Sequence, residues 1–235
     1  MTSKKNWTLR AAVLMLALVL ITSCFVGGTF AKYVTSGDAA DYARVAKWGV
    51  TVTAHETGDI FAKSYDNTVI AEGEYKVIAP GTKKDNAALV TLSGQPEVSV
   101  RVTYSAEHFS LTGNWVGDVT GKFYCPLIIK VTGKVGDTVK TETINCVEKT
   151  SAKEVETAVK NAVAACSATY GPNTDLSTVA GDGLKISWEW PFEGTKNPGQ
   201  TDEMDTYLGD QAAKTSDLDV PSIHIPVTAT VTQID

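Results

Sequence analysis

The residues best suited to catalysis or metal binding do not form a catalytic pattern in this chain. Its three histidines are His55, His108 and His224. The stretch HETGD begins like the zinc-protease motif HExxH, but Asp59 stands where the second histidine ligand would be. There is no GxSxG motif and no cysteine and histidine spacing typical of zinc. We therefore predict a protein that is not an enzyme, with no catalytic residue, no metal site and no cofactor except the calcium considered next.

One acidic cluster offers the oxygen ligands that calcium prefers. It lies in the polar connection PFEGTKNPGQTDEMDTYLGD and consists of Asp202, Glu203, Asp205 and Asp210. The order of these residues is not that of an EF-hand loop, and a solvated acidic loop is the favoured explanation. An ion-binding loop stays a hypothesis. Within it we expect a short helix that Asp205 caps and Gly209 ends.

Two cysteines flank a predicted β-hairpin with the turn residues GKVGD. They are Cys125 and Cys146. A turn centred between Val135 and Gly136 sets the two cysteines directly opposite each other, whereas a Gly136–Asp137 turn separates them. A disulfide between Cys125 and Cys146 is therefore a hypothesis that depends on the register of the hairpin.

Period-two alternation of apolar and polar residues predicts most of the elements that would position these groups. The clearest stretches are WGVTVTA, EVSVRVTY, KISWEWPF and SIHIPVTATVTQID. Each places its apolar residues on one face, as half-buried strands of an antiparallel sandwich do. By this pattern Trp188 and Trp190 fill a core and do not form an exposed platform for sugars.

One segment, at about residues 151–168, follows helical spacing instead. Ser151 and Glu154 form a capping box at its start, and Gly171 and Pro172 follow its end. Its apolar residues recur on one stripe, and Cys166 lies among them. We predict one accessory amphipathic helix packed on the sandwich, with Cys166 as a buried structural thiol.

The N-terminus has the pattern of a secretory signal. Three basic residues precede an apolar run in which no charge appears before Lys32. Thr29 and Ala31 occupy the −3 and −1 positions, which predicts cleavage between Ala31 and Lys32. The expected organisation is a cleaved signal peptide at 1–31, a mature N-terminal segment at 32–45 and a β-sandwich domain at 46–235.

Two other fates of the N-terminus stay open. The uncharged span from Ala11 to Ala31 is long enough to cross a bilayer, and ITSC fits a lipobox with Cys24 as the lipidated residue. In the cleaved form the chain would meet a membrane only through the signal segment before cleavage. Loss of Lys4, Lys5 and Arg10 takes the formal net charge from −6 to −9, which argues against a nucleic-acid partner.

Several stretches resemble a known group of Gram-positive secreted proteins. VGGTFAKYVTSG followed by ARVAKWGVTVTA resembles the signal class processed by the dedicated signal peptidase SipW. The blocks VIAPGT, YCPLII, ISWEWPFE, DEMDTYLGD and TVTQID are similar to those of uncharacterised clostridial members. More distantly, the layout is similar to the TasA/camelysin superfamily of biofilm matrix fibre proteins.

This resemblance implies a jelly-roll β-sandwich and secretion to the cell surface or the extracellular matrix. It also implies self-association into a homopolymeric fibre by strand addition, with residues 32–45 as the donor strand. Two alternatives stay open. One is a secreted adhesin or glycan-binding module that uses the 193–215 loop, and the other is a camelysin-like secreted protease.

Overall fold

The computed structural model describes residues 7–21, 44–54, 60–66, 68–71, 75–181, 183–193, 196–214 and 219–234. The chain divides into two compact units, Met1–Val45 and Ala46–Asp235, and each is described by itself. In the first unit, residues 7–21 form helix α1. Among the helices described, none is long and apolar enough to cross a membrane. The predicted cleavage residues Thr29, Ala31 and Lys32, the cysteine Cys24 and nearly all of the 32–45 segment lie outside the described residues.

The second unit is built mainly from β-strands. The strands are β1 (Thr51–Ala54), β2 (Ser64–Tyr65), β3 (Val69–Ile70), β4 (Lys83–Ser93), β5 (Val100–Ser105), β6 (Ser110–Thr112), β7 (Ile128–Val135), β8 (Thr138–Asn145), β9 (Ala168–Tyr170), β10 (Leu184–Glu189), β11 (Ser222–His224) and β12 (Thr228–Gln233). The helices are α2 (Ala152–Ala164), α3 (Leu176–Val179) and α4 (Asp202–Lys214), with a 3₁₀ turn at Cys146–Glu148.

The strands form antiparallel sheets, which confirms the predicted mainly β, antiparallel class. The largest sheet has the strand order β1-β4-β10-β7-β8. A three-stranded sheet has the order β12-β5-β9, and β11 pairs with β6 in a smaller sheet. Besides the accessory helix α2, the structure has α4, where a shorter helix was predicted, and α3, which was not predicted.

Two alternating stretches form the core as predicted. Strand β5 buries Val100, Val102 and Tyr104, each at most 3% exposed. Strand β10 buries Ile186 and Trp188, and Trp190 just beyond it is also buried. The tryptophans are therefore core residues, as the alternation predicts. The C-terminal stretch alternates too, but it is divided between β11 and β12 because the proline at 226 has no N–H for a sheet ladder.

The first alternating stretch has no buried face, and this prediction was wrong. All four residues of β1 are exposed, and Trp48 and Val52 are about two-fifths exposed. The physical reason is position: β1 pairs only with the Val90–Ser93 end of β4 and lies at the edge of the five-stranded sheet. Alternation marks a strand, but a buried face also requires a layer that covers it.

Helix α2 confirms the predicted amphipathic helix. Its first-turn N–H at Glu154 donates to Ser151 Oγ at 3.3 Å. The Glu154 carboxylate accepts from the N–H of Thr150 at 2.8 Å, one residue further back than in the usual capping box. Val155, Val159 and Val163 are fully buried, and the helix packs against β5, β6, β7 and β8.

The β7–β8 hairpin selects one of the two predicted registers. Its pairing runs from Ile128 opposite Asn145 to Val135 opposite Thr138, so the turn is Gly136–Asp137. Gly136 takes φ +61°, as the first residue of a two-residue hairpin turn requires. The alternative register was wrong, because it would place the β-branched Val135 at that left-handed position.

Candidate functional site

Strand β8 ends the five-stranded sheet, and no described strand pairs with its outer side. Six of its eight residues are exposed. The Cys146 N–H donates to the Leu127 carbonyl at 2.9 Å, which fixes the direction of every second backbone group in β8. The groups that face away from β7 belong to Val139, Thr141, Thr143 and Asn145. We call this row the β8 edge.

A groove of about 430 Å³ runs between the second half of β8 and helix α2. Glu142 and Asn145 line it from the strand, and Ala158 and Asn161 line it from the helix. Lys140, one of the two charged residues of β8, donates to the Ala165 carbonyl at the end of α2 at 2.8 Å. That lysine is therefore drawn toward the helix. An extended chain bound in this groove would lie between the backbone groups of β8 on one side and the small side chains of α2 on the other.

The opposite end of the same sheet is formed by β1. This strand has four residues, all exposed, and it contacts β4 through a four-residue register. The five-stranded sheet thus has two different ends: β8, joined to β7 along eight residue pairs, and the much shorter β1.

The acidic residues predicted as an ion-binding loop lie on helix α4 instead. Asp202, Glu203 and Asp210 are exposed, whereas Asp205 is 6% exposed and faces the core. The four carboxylates therefore do not converge on one point. In the part of the chain that the structure describes, no three histidine, cysteine or acidic side chains are grouped to hold a metal ion.

The predicted limits of this helix were also wrong. Thr201 caps it, since Thr201 Oγ1 accepts from the Met204 N–H at 3.3 Å, and the helix continues through Gly209. Three acidic residues in the first turn favour an early start, because the helix dipole attracts negative charge there. Asp205 and the buried Leu208 are three residues apart on one face. This spacing was the sequence signal that could have placed Asp205 inward.

Asp205 is the acceptor of a buried hydrogen-bond cluster. Its Oδ1 accepts from the Tyr124 hydroxyl at 2.5 Å and from Trp190 Nε1 at 3.1 Å. Its Oδ2 accepts from Gln200 Nε2 at 2.7 Å. Burial raises the pKa of Tyr124, and the hydrogen bond to Asp205 raises it further, so the phenol stays a donor. The cluster fixes α4 to the end of β10 and to the segment around Tyr124.

An apolar groove of about 600 Å³ lies beside α4. Ala212 lines it from the helix, and Phe61, Ile78, Pro221 and Ile223 line it from the strand side. Among the described residues of the lining, Lys76 is the only charged one. The two described histidines, His108 and His224, are exposed elsewhere on the surface, and His55 lies outside the described residues.

No protein-family model, curated protein or solved structure matches the chain. A function for this chain therefore has to be inferred from the ends of its five-stranded sheet, the Asp205 cluster and the two grooves.

The two cysteines of the predicted disulfide are both fully buried. The register places Leu127, and not Cys125, opposite Cys146. Cys125 and Cys146 are free thiols in this structure, and Cys146 Sγ donates to the Ile144 carbonyl at 3.9 Å. The neighbouring Cys125 side chain and burial both raise the pKa of the Cys146 thiol. Cys166 is buried as predicted and donates to the Ala162 carbonyl at 3.5 Å.

Proposed function

We propose that this chain is an exported, non-enzymatic surface or matrix protein that self-associates through the ends of its five-stranded sheet. The observation that carries the proposal is the β8 edge, a row of backbone donors and acceptors with which no described strand pairs. Proteins usually protect such edges with bulges, short strands or a covering element, because an open edge accepts another strand. A strand from a second copy would pair with the backbone groups of this row.

The two ends of the sheet differ, and this difference supports a fibre. Contact between unlike surfaces of identical copies is head to tail, and such contacts extend unless a rotation closes them into a ring. We take residues 32–45, which lead toward β1, as the strand supplied to the β8 edge of the neighbouring copy. The finer parts of the proposal are the jelly-roll arrangement of the sheets and cleavage after Ala31 by a dedicated signal peptidase, which would expose this segment.

The decisive experiment compares two purified chains, one starting at Lys32 and one at Ala46. We expect filaments by negative-stain microscopy and a rise in light scattering only for the longer chain. Circular dichroism of both chains checks that the shorter one keeps its fold. If both folded chains stay monomeric at high concentration, self-association through this segment is refuted.

A ligand-binding module is the second candidate, and the apolar groove favours it. Tyr75 at the groove is 73% exposed, a position suited to stacking on a ligand. Trp115 and Trp190 lie in an adjoining cavity, so a bound ligand should change the intrinsic fluorescence. Titration with glycans and with apolar ligands tests this candidate, with Tyr75→Ala as the variant expected to bind more weakly. If Tyr75→Ala binds with the same affinity as the parent chain, the groove is excluded as the binding site.

A further inference from the structure

The five-stranded sheet has one face that is turned away from the core, and lysines and hydroxyl groups occupy its middle. Ile129 and Val131 are buried, which assigns their side of β7 to the core. Because side chains alternate along a strand, Lys130, Thr132 and Lys134 point to the opposite, outward side.

Strands β10 and β8 continue this pattern on either side of β7. Lys185 and Thr141 both lie opposite Thr132 in the register, and Ser187 lies opposite Lys130. The hydroxyl oxygens of Thr132 and Thr141 are 3.3 Å apart. We call this set the lysine face, and it consists of Lys130, Thr132, Lys134, Thr141, Lys185 and Ser187.

The carboxylates on this side of the sheet lie at one end and are already paired with lysines. Glu189 follows Ser187 on the outward side of β10 and accepts from Lys196 Nζ at 2.8 Å. At the same end of β4, Lys83 Nζ is 3.1 Å from a carboxylate oxygen of Asp85. Among the described residues of β7 and β8, no carboxylate shares the outward side. The chain as a whole has a formal net charge of −6, so this local excess of ammonium groups is opposite in sign to the charge of the molecule.

The spacing of the lysines suits a long ligand better than a single small anion. Lys130 and Lys134 are four residues apart on one strand, which separates their Cα atoms by roughly 13 Å. Lys185 lies between them on the adjacent strand. Lys134 Nζ donates to the Thr178 carbonyl at 2.8 Å, and because an ammonium group has three N–H donors and a carbonyl is neutral, its charge and two donors are left for a ligand.

We propose that the lysine face binds an extended anionic polysaccharide. Its sulfate, phosphate or carboxylate groups would accept charge-assisted hydrogen bonds from the lysines, and its sugar hydroxyls would bond to the threonine and serine hydroxyls between them. The lysine face carries no aromatic side chain on which the bases of a single-stranded nucleic acid could stack. A polysaccharide is therefore the polyanion that these residues fit.

This inference goes beyond the proposed assembly, because it uses the flat side of the sheet and the assembly uses its ends. The two can also act together. A fibre would repeat the lysine face along its length, so that one long polysaccharide could contact several copies at once.

The test measures binding of the full chain, in a non-ionic detergent, to fluorescein-labelled dextran sulfate by fluorescence anisotropy. Uncharged dextran of the same length is the matched ligand control. Lys4, Lys5 and Arg10 are replaced by glutamine in every protein compared, because these N-terminal charges would attract a polyanion by themselves.

We expect the parent chain to bind dextran sulfate, more weakly as salt is added, and not to bind dextran. The double variant Lys130→Gln, Lys134→Gln should lower the affinity about 2- to 30-fold, since each exposed ion pair contributes a factor of roughly 1.4 to 5. The double variant Lys153→Gln, Lys160→Gln makes the same change of charge on α2 and should leave the affinity unchanged. Thr141→Glu keeps every lysine but adds a carboxylate to the lysine face, and it should also weaken binding.

Three results would overturn the inference. They are equal affinity for the parent and the Lys130→Gln, Lys134→Gln variant, an equal loss in the α2 control, and tighter binding of the parent to a single-stranded oligonucleotide than to dextran sulfate. Circular dichroism checks the fold of each variant, and if the double variant does not fold, Lys130→Gln alone and Thr141→Glu decide the question. Filament formation is scored separately: sulfate binding that does not depend on Lys130 in a chain that still forms filaments refutes only the lysine face, and absence of filaments refutes only the assembly.

Discussion

Replacing Asp205 with alanine tests whether this carboxylate is a structural acceptor or part of a calcium site. The change leaves three buried donors without their acceptor: the Tyr124 hydroxyl, the Trp190 indole N–H and one N–H of Gln200. A buried polar group left unsatisfied costs about 1–3 kcal/mol, and relaxation makes the sum of several such costs smaller than additive. We expect Asp205→Ala to lower the free energy of unfolding by about 3–5 kcal/mol, a large part of the stability of a typical domain.

The assay is urea unfolding of the chain that starts at Ala46, which is expected not to assemble, followed by tryptophan fluorescence. Asp202→Ala is the matched control, because Asp202 is in the first turn of the same helix but exposed. It should cost only about 0.3–1 kcal/mol, the value of a charge near a helix N-terminus. Tyr124→Phe in the Asp205→Ala background should recover part of the loss, since it removes one of the orphaned donors.

Calcium binding by Asp205 is the alternative that the same unfolding assay can detect. A cation that binds only the native state stabilises it by RT ln(1 + c/Kd) at cation concentration c, so the unfolding midpoint rises as the cation concentration exceeds the dissociation constant. We expect added calcium to leave the midpoint unchanged, because both oxygens of Asp205 already accept hydrogen bonds. Equal midpoints for Asp205→Ala and Asp202→Ala would refute the buried cluster. A calcium-dependent rise that Asp205→Ala abolishes would restore the ion-binding hypothesis.

Three further predictions concern assembly, packing and pH. Thr143→Pro removes an outward N–H of the β8 edge and should abolish filaments, while the thermal unfolding midpoint stays near that of the parent chain. The control Glu142→Pro removes a hydrogen bond to β7 and should unfold the hairpin. Filaments formed by Thr143→Pro would contradict assembly through the β8 edge. Gly133→Ala would place its new Cβ 2.8 Å from Cys166 Sγ. We therefore expect the free energy of unfolding, measured in urea, to fall by about 1–3 kcal/mol, and an unchanged value would contradict this packing. Hydrogen bonds from the backbone N–H and the hydroxyl of Thr150 lower the pKa of Glu154, so their stabilisation is present above the unfolded pKa of about 4.3 and is lost as pH falls through the folded value. Thr150→Val removes only the hydroxyl bond and should flatten the acid limb of pH-dependent unfolding in part, and an unchanged limb would contradict this role of the hydroxyl.

The features that the sequence predicted best are those determined by neighbouring residues. Alternation in β5 and β10 identified buried faces, and the capping box identified the start of α2, because a side-chain period and a cap are local properties. The same alternation failed for β1, whose exposure depends on which layer covers it. The position of Asp205 was also missed, since a run of acidic residues usually indicates a solvated surface. Its partners Tyr124 and Trp190 are distant in sequence, so no local pattern could name them.

The burial of the two sheet ends suggests which one accepts a strand and which one can be displaced. Strand β8 exposes most of its side chains, yet it is held by a full hairpin register, by the buried Ile144 and by the bond from Lys140 to α2. A strand fixed in this way keeps its outer backbone groups aligned. An incoming strand can therefore pair with β8 without the conformational entropy cost of ordering β8 first. Strand β1 has no buried side chain, and four residue pairs connect it to β4. Its loss would therefore cost little apolar burial. In the proposed fibre, growth would then have a direction, with the β8 edge as the preformed acceptor and residues 32–45 of the next copy as the supplied strand.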